Sequence, residues 1–153
     1  MNAVEIHLPG DPPRQTHQSR LRAYRIGKFC RIVKAKPDAA TERVANQIAA
    51  HVQAIRKTQP TIFPADVPLA VIIAFHFPFP AAVKARDRKA TSWRTQRPDL
   101  DNLSKSILDA LTEAGAWADD AQVVDLTLKK TNSPTPRLSI YIQPAQSYPI
   151  ITQ

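Results

Sequence analysis

Fourteen prolines in 153 residues leave this chain few uninterrupted stretches for a helix or a strand. Proline has no amide donor, and its ring clashes with the interior of a helix or a paired strand. Most of the elements therefore lie between the prolines. Ala3 to Leu8 alternates as a strand and stops at Pro9-Gly10-Asp11-Pro12-Pro13. Residues 14–36 are basic and poor in acids, with room for a short strand at Lys28–Lys34. Asp38 can cap a helix reaching Lys57, in which Val44, Ile48, Val52 and Ile55 recur on one face. Val67 to Phe77 is the strongest strand, closed by Pro78 and Pro80, and residues 81–98 form a long basic connection. A second helix begins at Asp99 or Leu100, just after Pro98. Its apolar face is Leu103, Ile107, Leu111 and Ala114, and Gly115 stops it. Gln122 to Lys130 and Arg137 to Ile142 read as two strands joined by Thr131-Asn132-Ser133-Pro134, and residues 143–153 as a tail or arm. The expected fold is α+β: a small mixed sheet with two main helices packed on one face, one domain over residues 1–142.

The chain holds 21 Lys and Arg against 13 Asp and Glu, a net charge of +8, with an apolar fraction of 43%. That is enough apolar surface for a core, and the basic excess favours a polyanionic partner. Gly10, Gly27 and Gly115 are too scattered for a phosphate-cradling loop, so no nucleotide cofactor is expected. Cys30 is alone, and His7, His17, His51 and His76 lie far apart, which excludes a disulfide and a Cys/His zinc site. The longest apolar run, Leu69 to Phe75, is too short to span a membrane, and Glu5 and His7 break any signal-peptide pattern. A cytoplasmic protein is expected.

Charge is sharply segregated. Between Asp99 and Asp125 seven acids face one base, Lys105, whereas the remainder holds 20 bases and 6 acids. Like charges crowded together are unfavourable unless a cation sits among them. A basic surface around a carboxylate cluster suits a metal-dependent nuclease, in which Arg and Lys hold the phosphate backbone and carboxylates hold Mg²⁺. Each acid also has an ordinary reading. Asp99 can be an N-cap, Asp101 a first-turn acid, Asp109 and Glu113 a solvated face, and Asp119 and Asp120 turn residues. Lys105 can be a simple i,i+4 partner of Asp101. An EF-hand is excluded, because Leu103, Ser104 and Ala110 stand where it needs an acid, a glycine and a glutamate.

Arg97-Pro98-Asp99-Leu100-Asp101-Asn102-Leu103-Ser104-Lys105 continues through Leu108-Asp109-Ala110-Leu111 to Gly115-Ala116-Trp117-Ala118-Asp119-Asp120-Ala121-Gln122-Val123-Val124. Over residues 97–124 this closely resembles the RusA-type Holliday junction resolvases, whose pattern is D-L-D-N-L-x-K, a D-A-L helix and a W-x-D-D-x-Q-V turn. The loop through Trp93-Arg94 and the opening Leu8-Pro9-Gly10-Asp11-Pro12 resemble the family more weakly. Where many members have an Asn-rich turn after the prolines, this chain has Arg14-Gln15-Thr16-His17. The resemblance implies a homodimeric endonuclease that uses Mg²⁺, with Mn²⁺ as a substitute, on four-way DNA junctions. It implies Asp99, Asp101 and Asp120 as essential metal-holding acids and Lys105 as the catalytic lysine, with Asp119 a lesser neighbour. A PD-(D/E)xK nuclease is disfavoured, since Gln122 stands where its lysine would follow Asp120. A non-catalytic junction-binding protein, or a related Mg²⁺ nuclease acting on flaps or RNA, stays open.

Asp101 and Lys105 share a helix face, so the ammonium can reach the phosphate that the metal holds. Closing Asp120 onto Asp101 within one chain is possible but tight. Fourteen helical steps to Gly115 cover roughly 21 Å, whereas five extended residues return only about 17 Å. Either the helix is shorter than its pattern, or a partner subunit completes the site. Lys84, Arg86, Arg88, Lys89, Arg94 and Arg97 suit a DNA grip, with Trp93 ready to stack on an unpaired base. Arg14, Arg20, Arg22, Arg25 and Lys28 offer a second grip. The strand Leu69–Phe75 and the tail from Pro144 are candidate dimer surfaces, the strand being equally readable as core. Junction affinity should fall steeply with salt, each neutralised phosphate adding about −0.9 to the log–log slope. Replacing Lys84, Arg86, Arg88 and Lys89 with glutamine should flatten that slope. An unchanged slope would place the grip elsewhere, foremost in residues 14–36.

Overall fold

The computed structural model describes residues 3–14, 21–26, 28–34 and 37–146, with only the backbone of strand residues 21–26 and 29–34. Its strands are β1 (Val4–Pro9), β2 (Leu21–Ile26), β3 (Phe29–Lys34), β4 (Leu69–Phe77), β5 (Ser92–Trp93), β6 (Val123–Asn132) and β7 (Arg137–Pro144). Its helices are α1 (Ala39–Arg56) and α2 (Leu100–Ala114), joined by short 3₁₀ turns at Ala85–Asp87 and Asp120–Gln122. Five strands make one mixed sheet in the order β1-β7-β4-β6-β5, while β2 and β3 pair antiparallel as a separate ribbon. The α+β expectation holds, and β2 and β5 are strands that the sequence pattern did not reveal.

Alternation drives the packing. Ile6 and Leu8 of β1, Val71, Ile73, Phe75 and Phe77 of β4, and Leu138, Ile140 and Ile142 of β7 turn to one buried face. Against it lie Val44, Ile48 and Val52 of α1 and Leu103, Ile107 and Leu111 of α2, all buried in one cluster. β4 is hydrogen-bonded on both sides, to β7 and β6, so Leu69–Phe75 is the centre of the core and not a free dimer surface. Its other parity, including Ile72 and His76, lies on the opposite face. There His76 Nδ1 lies 2.8 Å from Thr131 Oγ1, and burial followed by the Arg137 charge lowers its pKa. β7 runs to Pro144 and Ala145 N donates to Pro68 O, so the chain from 143 continues the sheet before any tail begins. His17 and the rest of the tail, from residue 147, lie outside the described residues.

The start of α2, where the candidate acids Asp99 and Asp101 lie, is positioned by one crossover. β4 and β6 are parallel, and parallel neighbours need a long connection, which here passes through β5 and α2. α2 therefore runs back along the sheet, and β6 retraces its length in the opposite sense. Among the described residues, no helix is long and apolar enough to cross a membrane.

Candidate active site

Asp99 stands at the N-cap position of α2 with φ −73° and ψ 142°, and its side chain makes no capping hydrogen bond. Asp38 has nearly the same backbone at the start of α1, φ −71° and ψ 163°, and its Oδ1 accepts from Thr41 N at 2.8 Å. Asp119 likewise accepts from Ala121 N at 2.8 Å and completes a capping box with Gln122. The capping reading thus describes Asp38 and Asp119 but not Asp99. Asp101 and Lys105, both exposed on the next turns, make no ion pair with each other. Two carboxylates and an ammonium are therefore presented to solvent at one helix end.

The segment feeding that end is held by two cations, Lys130 on β6 and Arg94 just after β5. Lys130 Nζ donates to Gln96 O at 2.9 Å and to Pro98 O at 2.6 Å. Arg94 donates from Nη2 to Arg97 O at 3.2 Å and from Nη1 to Asn132 Oδ1 at 3.0 Å, with its guanidinium 4.8 Å from the centre of the Phe77 ring. Burial, then the charge of Arg94, lowers the pKa of Lys130, while Asp99 pulls it the other way. Neither role was visible in the sequence pattern. The available signal was parity, because Lys130 is level with Phe75 in the same register that sets Leu126 beside Val71 and Leu128 beside Ile73.

Asp119 and Asp120 lie at the far end of α2. Trp117 Nε1 donates to Thr112 Oγ1 at 2.7 Å, which folds the turn onto the last helical residues. Gln122 Oε1 accepts from Ala118 N at 2.9 Å, and its Nε2 donates to Pro64 O at 2.8 Å and Val67 O at 3.1 Å. Two measures give the separation from Asp99. The 15 residues of α2 form a rod roughly 22 Å long. Val123 to Lys130, whose side chain reaches Pro98, spans about 23 Å of strand. The helix is as long as its pattern predicts, and Asp120 does not approach Asp101 within the chain. Among the described residues, no three acidic, histidine or cysteine side chains converge as a metal site.

The basic groups divide by what they touch. Lys84, Arg86, Lys89 and Arg97 are exposed, and Trp93 is 75% exposed. Arg86 lies 3.8 Å from Asp87, and Arg14 lies 3.8 Å from Asp11. Arg88 is spent on its own loop, donating from Nε to Val83 O at 2.7 Å and from Nη2 to Ala81 O at 3.1 Å. Arg94 is spent on the 93–98 segment. Arg20 and the side chains of Arg22 and Arg25 lie outside the described residues. Asp109 and Glu113 line a groove between α1 and α2 together with Glu42, away from Asp99.

The contrast between caps is measurable. Asp38→Ala should destabilise the protein by about 0.5–2 kcal/mol, the usual loss of a capping aspartate. Asp99→Ala should cost only a small part of that, since no capping hydrogen bond is removed. Chemical denaturation of both variants checks this, and equal losses would return Asp99 to a capping role.

The family model described as Endodeoxyribonuclease RusA matches residues 9–143. The chain is 34% identical over 110 residues to a crossover junction endodeoxyribonuclease of Lactococcus phage r1t, covering 72% of this chain and 80% of that relative. It is 35% identical over 130 residues to the crossover junction endodeoxyribonuclease RusA of Escherichia coli (strain K12), and 34% identical over 130 residues to that of Enterobacteria phage 82. In both, 85% of this chain and 84% of the relative are covered. The uncapped acids therefore sit within a matched region that spans nearly the whole fold, and the chain belongs to the RusA endodeoxyribonuclease family.

Proposed function

We propose that this chain is a homodimeric, Mg²⁺-dependent endonuclease that resolves four-way DNA junctions by paired cuts, and that each active centre draws on two chains. Asp99, Asp101 and Lys105 come from one protomer and Asp120 from its partner. The single observation that carries the composite centre is that α2 and β6 span the same length in opposite senses, which leaves Asp120 at the end of the helix remote from Asp101. The family membership and the relatives' shared name support the nuclease activity.

The residues fit the ion. Mg²⁺ takes hard oxygen donors and is commonly held by one or two carboxylates together with substrate phosphate oxygens, and the uncapped Asp99 with Asp101 supplies that pair. When bound, the ion supplies an activated water and neutralises charge on the phosphoryl oxygens. The chain's own groups do the rest. Asp99 and Asp101 hold their carboxylates toward solvent at the helix end, where a phosphate can arrive. Lys105, one turn on, directs an ammonium at the negative charge that builds in the transition state. Trp93 stacks on a base exposed at the branch, and Lys84, Arg86, Lys89, Arg97 and Arg14 neutralise neighbouring phosphates. One cluster cuts one strand, so a two-fold dimer suits a substrate that must be cut in two strands of like polarity.

Asp99→Asn, Asp101→Asn and Asp120→Asn should each bring Mg²⁺-dependent cleavage of a synthetic four-way junction below detection while junction binding stays intact or tightens. Losing negative charge near phosphates cannot weaken their attraction. Gel-shift and cleavage assays on the same preparations check this, and a wild-type rate in any one variant removes that residue from the centre. Cleavage of a linear duplex as fast as the junction would favour a general nuclease.

A further inference from the structure

Three consecutive backbone carbonyls, those of Gln96, Arg97 and Pro98, are each captured by a cationic side chain, two by Lys130 on β6 and one by Arg94 just after β5. The residue that follows them is Asp99. Loop carbonyls at a protein surface normally bond to water, so engaging a lysine and an arginine for three in a row is a built feature. Its foundation is rigid. Arg94 lies over the fully buried Phe77 and is tied to Asn132, and Lys130 is paired in β6 beside Phe75. The effect is to fix how the chain enters α2. Asp99 keeps the backbone angles of an N-cap, yet its carboxylate stays off the helix amides.

We infer that Lys130, with Arg94, is a positioning residue for the metal centre: by gripping the carbonyls before Asp99 it holds that carboxylate away from the cap and ready for the ion. This rests on the reading of Asp99 as a metal-holding acid. Lys130 touches neither substrate nor ion in this role and acts only through the 96–98 backbone. Groups that orient a ligand from behind commonly change metal affinity by 10–100-fold when removed. Without the grip, Asp99 is free to turn back and accept from the α2 amides as Asp38 does on α1.

The experiment measures Mn²⁺ affinity of the intact protein without DNA, by titration followed with electron paramagnetic resonance, beside melting temperature and metal-free junction affinity. Lys130→Met should weaken Mn²⁺ binding by about 10-fold or more while metal-free junction affinity stays within about threefold. Lys130→Arg, which keeps donors for both carbonyls, should bind Mn²⁺ within about threefold of wild type. In an Asp99→Asn background, Lys130→Met should add no further loss. Should Lys130→Met fail to fold, Lys130→Gln replaces it with an intermediate loss expected. Wild-type Mn²⁺ affinity in the Met or Gln variant, with loss in Asp99→Asn, overturns the positioning role and leaves the nuclease reading standing. So does equal weakening in the Arg and Met variants. No Mn²⁺ binding by wild type, or none lost in Asp99→Asn, overturns Asp99 as a ligand and the inference with it.

Discussion

The stiffness of α2 governs how the candidate acids of this protein are arranged. A 15-residue helix cannot bend its ends together, and this one is fastened at both. At its start Lys130 binds the Pro98 carbonyl, and beyond its end Gln122 binds the Pro64 and Val67 carbonyls. β6 spans the same distance in the opposite sense, so the separation is set twice, by helix rise and by strand rise. Neither can be shortened without breaking the βαβ crossover that builds the core.

That separation also accounts for how so acidic a segment folds. Seven carboxylates in 27 residues would repel strongly if gathered on one surface. Here they are distributed: Asp99 and Asp101 at one helix end, Asp119 and Asp120 at the other, Asp109 and Glu113 along the groove to α1, and Asp125 on β6. Two cations, Lys130 and Arg94, stand next to the first pair. In the proposed dimer, a cluster dense enough to need a metal would arise only where two chains meet, separating the electrostatic demands of folding from those of catalysis.

Much of this was legible in the sequence, for reasons that are local. Proline and glycine punctuation with apolar periodicity located β1, α1, β4 and α2 to within a residue or two, because those elements bury a regular face. β5 escaped because two residues carry no period, and its pairing with Asn132 and Thr131 is a tertiary event. β2 escaped because Arg22 and Arg25 are three apart, which breaks the period of two that a strand with one buried face would show. β7 outran its pattern by two residues, since Gln143 and Pro144 pair with Ala70 and Leu69 despite their polarity and ring. At the candidate site, residue types and spacing single out the acids as candidates, but spacing alone cannot tell a capping aspartate from one held off its helix. Asp38, Asp99 and Asp119 look alike in sequence, and only their hydrogen bonds separate them.

The claim on which the account turns is that Asp101 and Asp120 of one active centre belong to different chains. Mixing Asp101→Asn protein with Asp120→Asn protein tests it directly, after a denaturation and refolding step that exchanges subunits. A heterodimer then contains one centre carrying both changes and one carrying neither. The account predicts that two inactive preparations together regain Mg²⁺-dependent nicking of one strand of a four-way junction, without paired cuts. If each centre is built within a single chain, every centre in the mixture carries one change, and no activity returns.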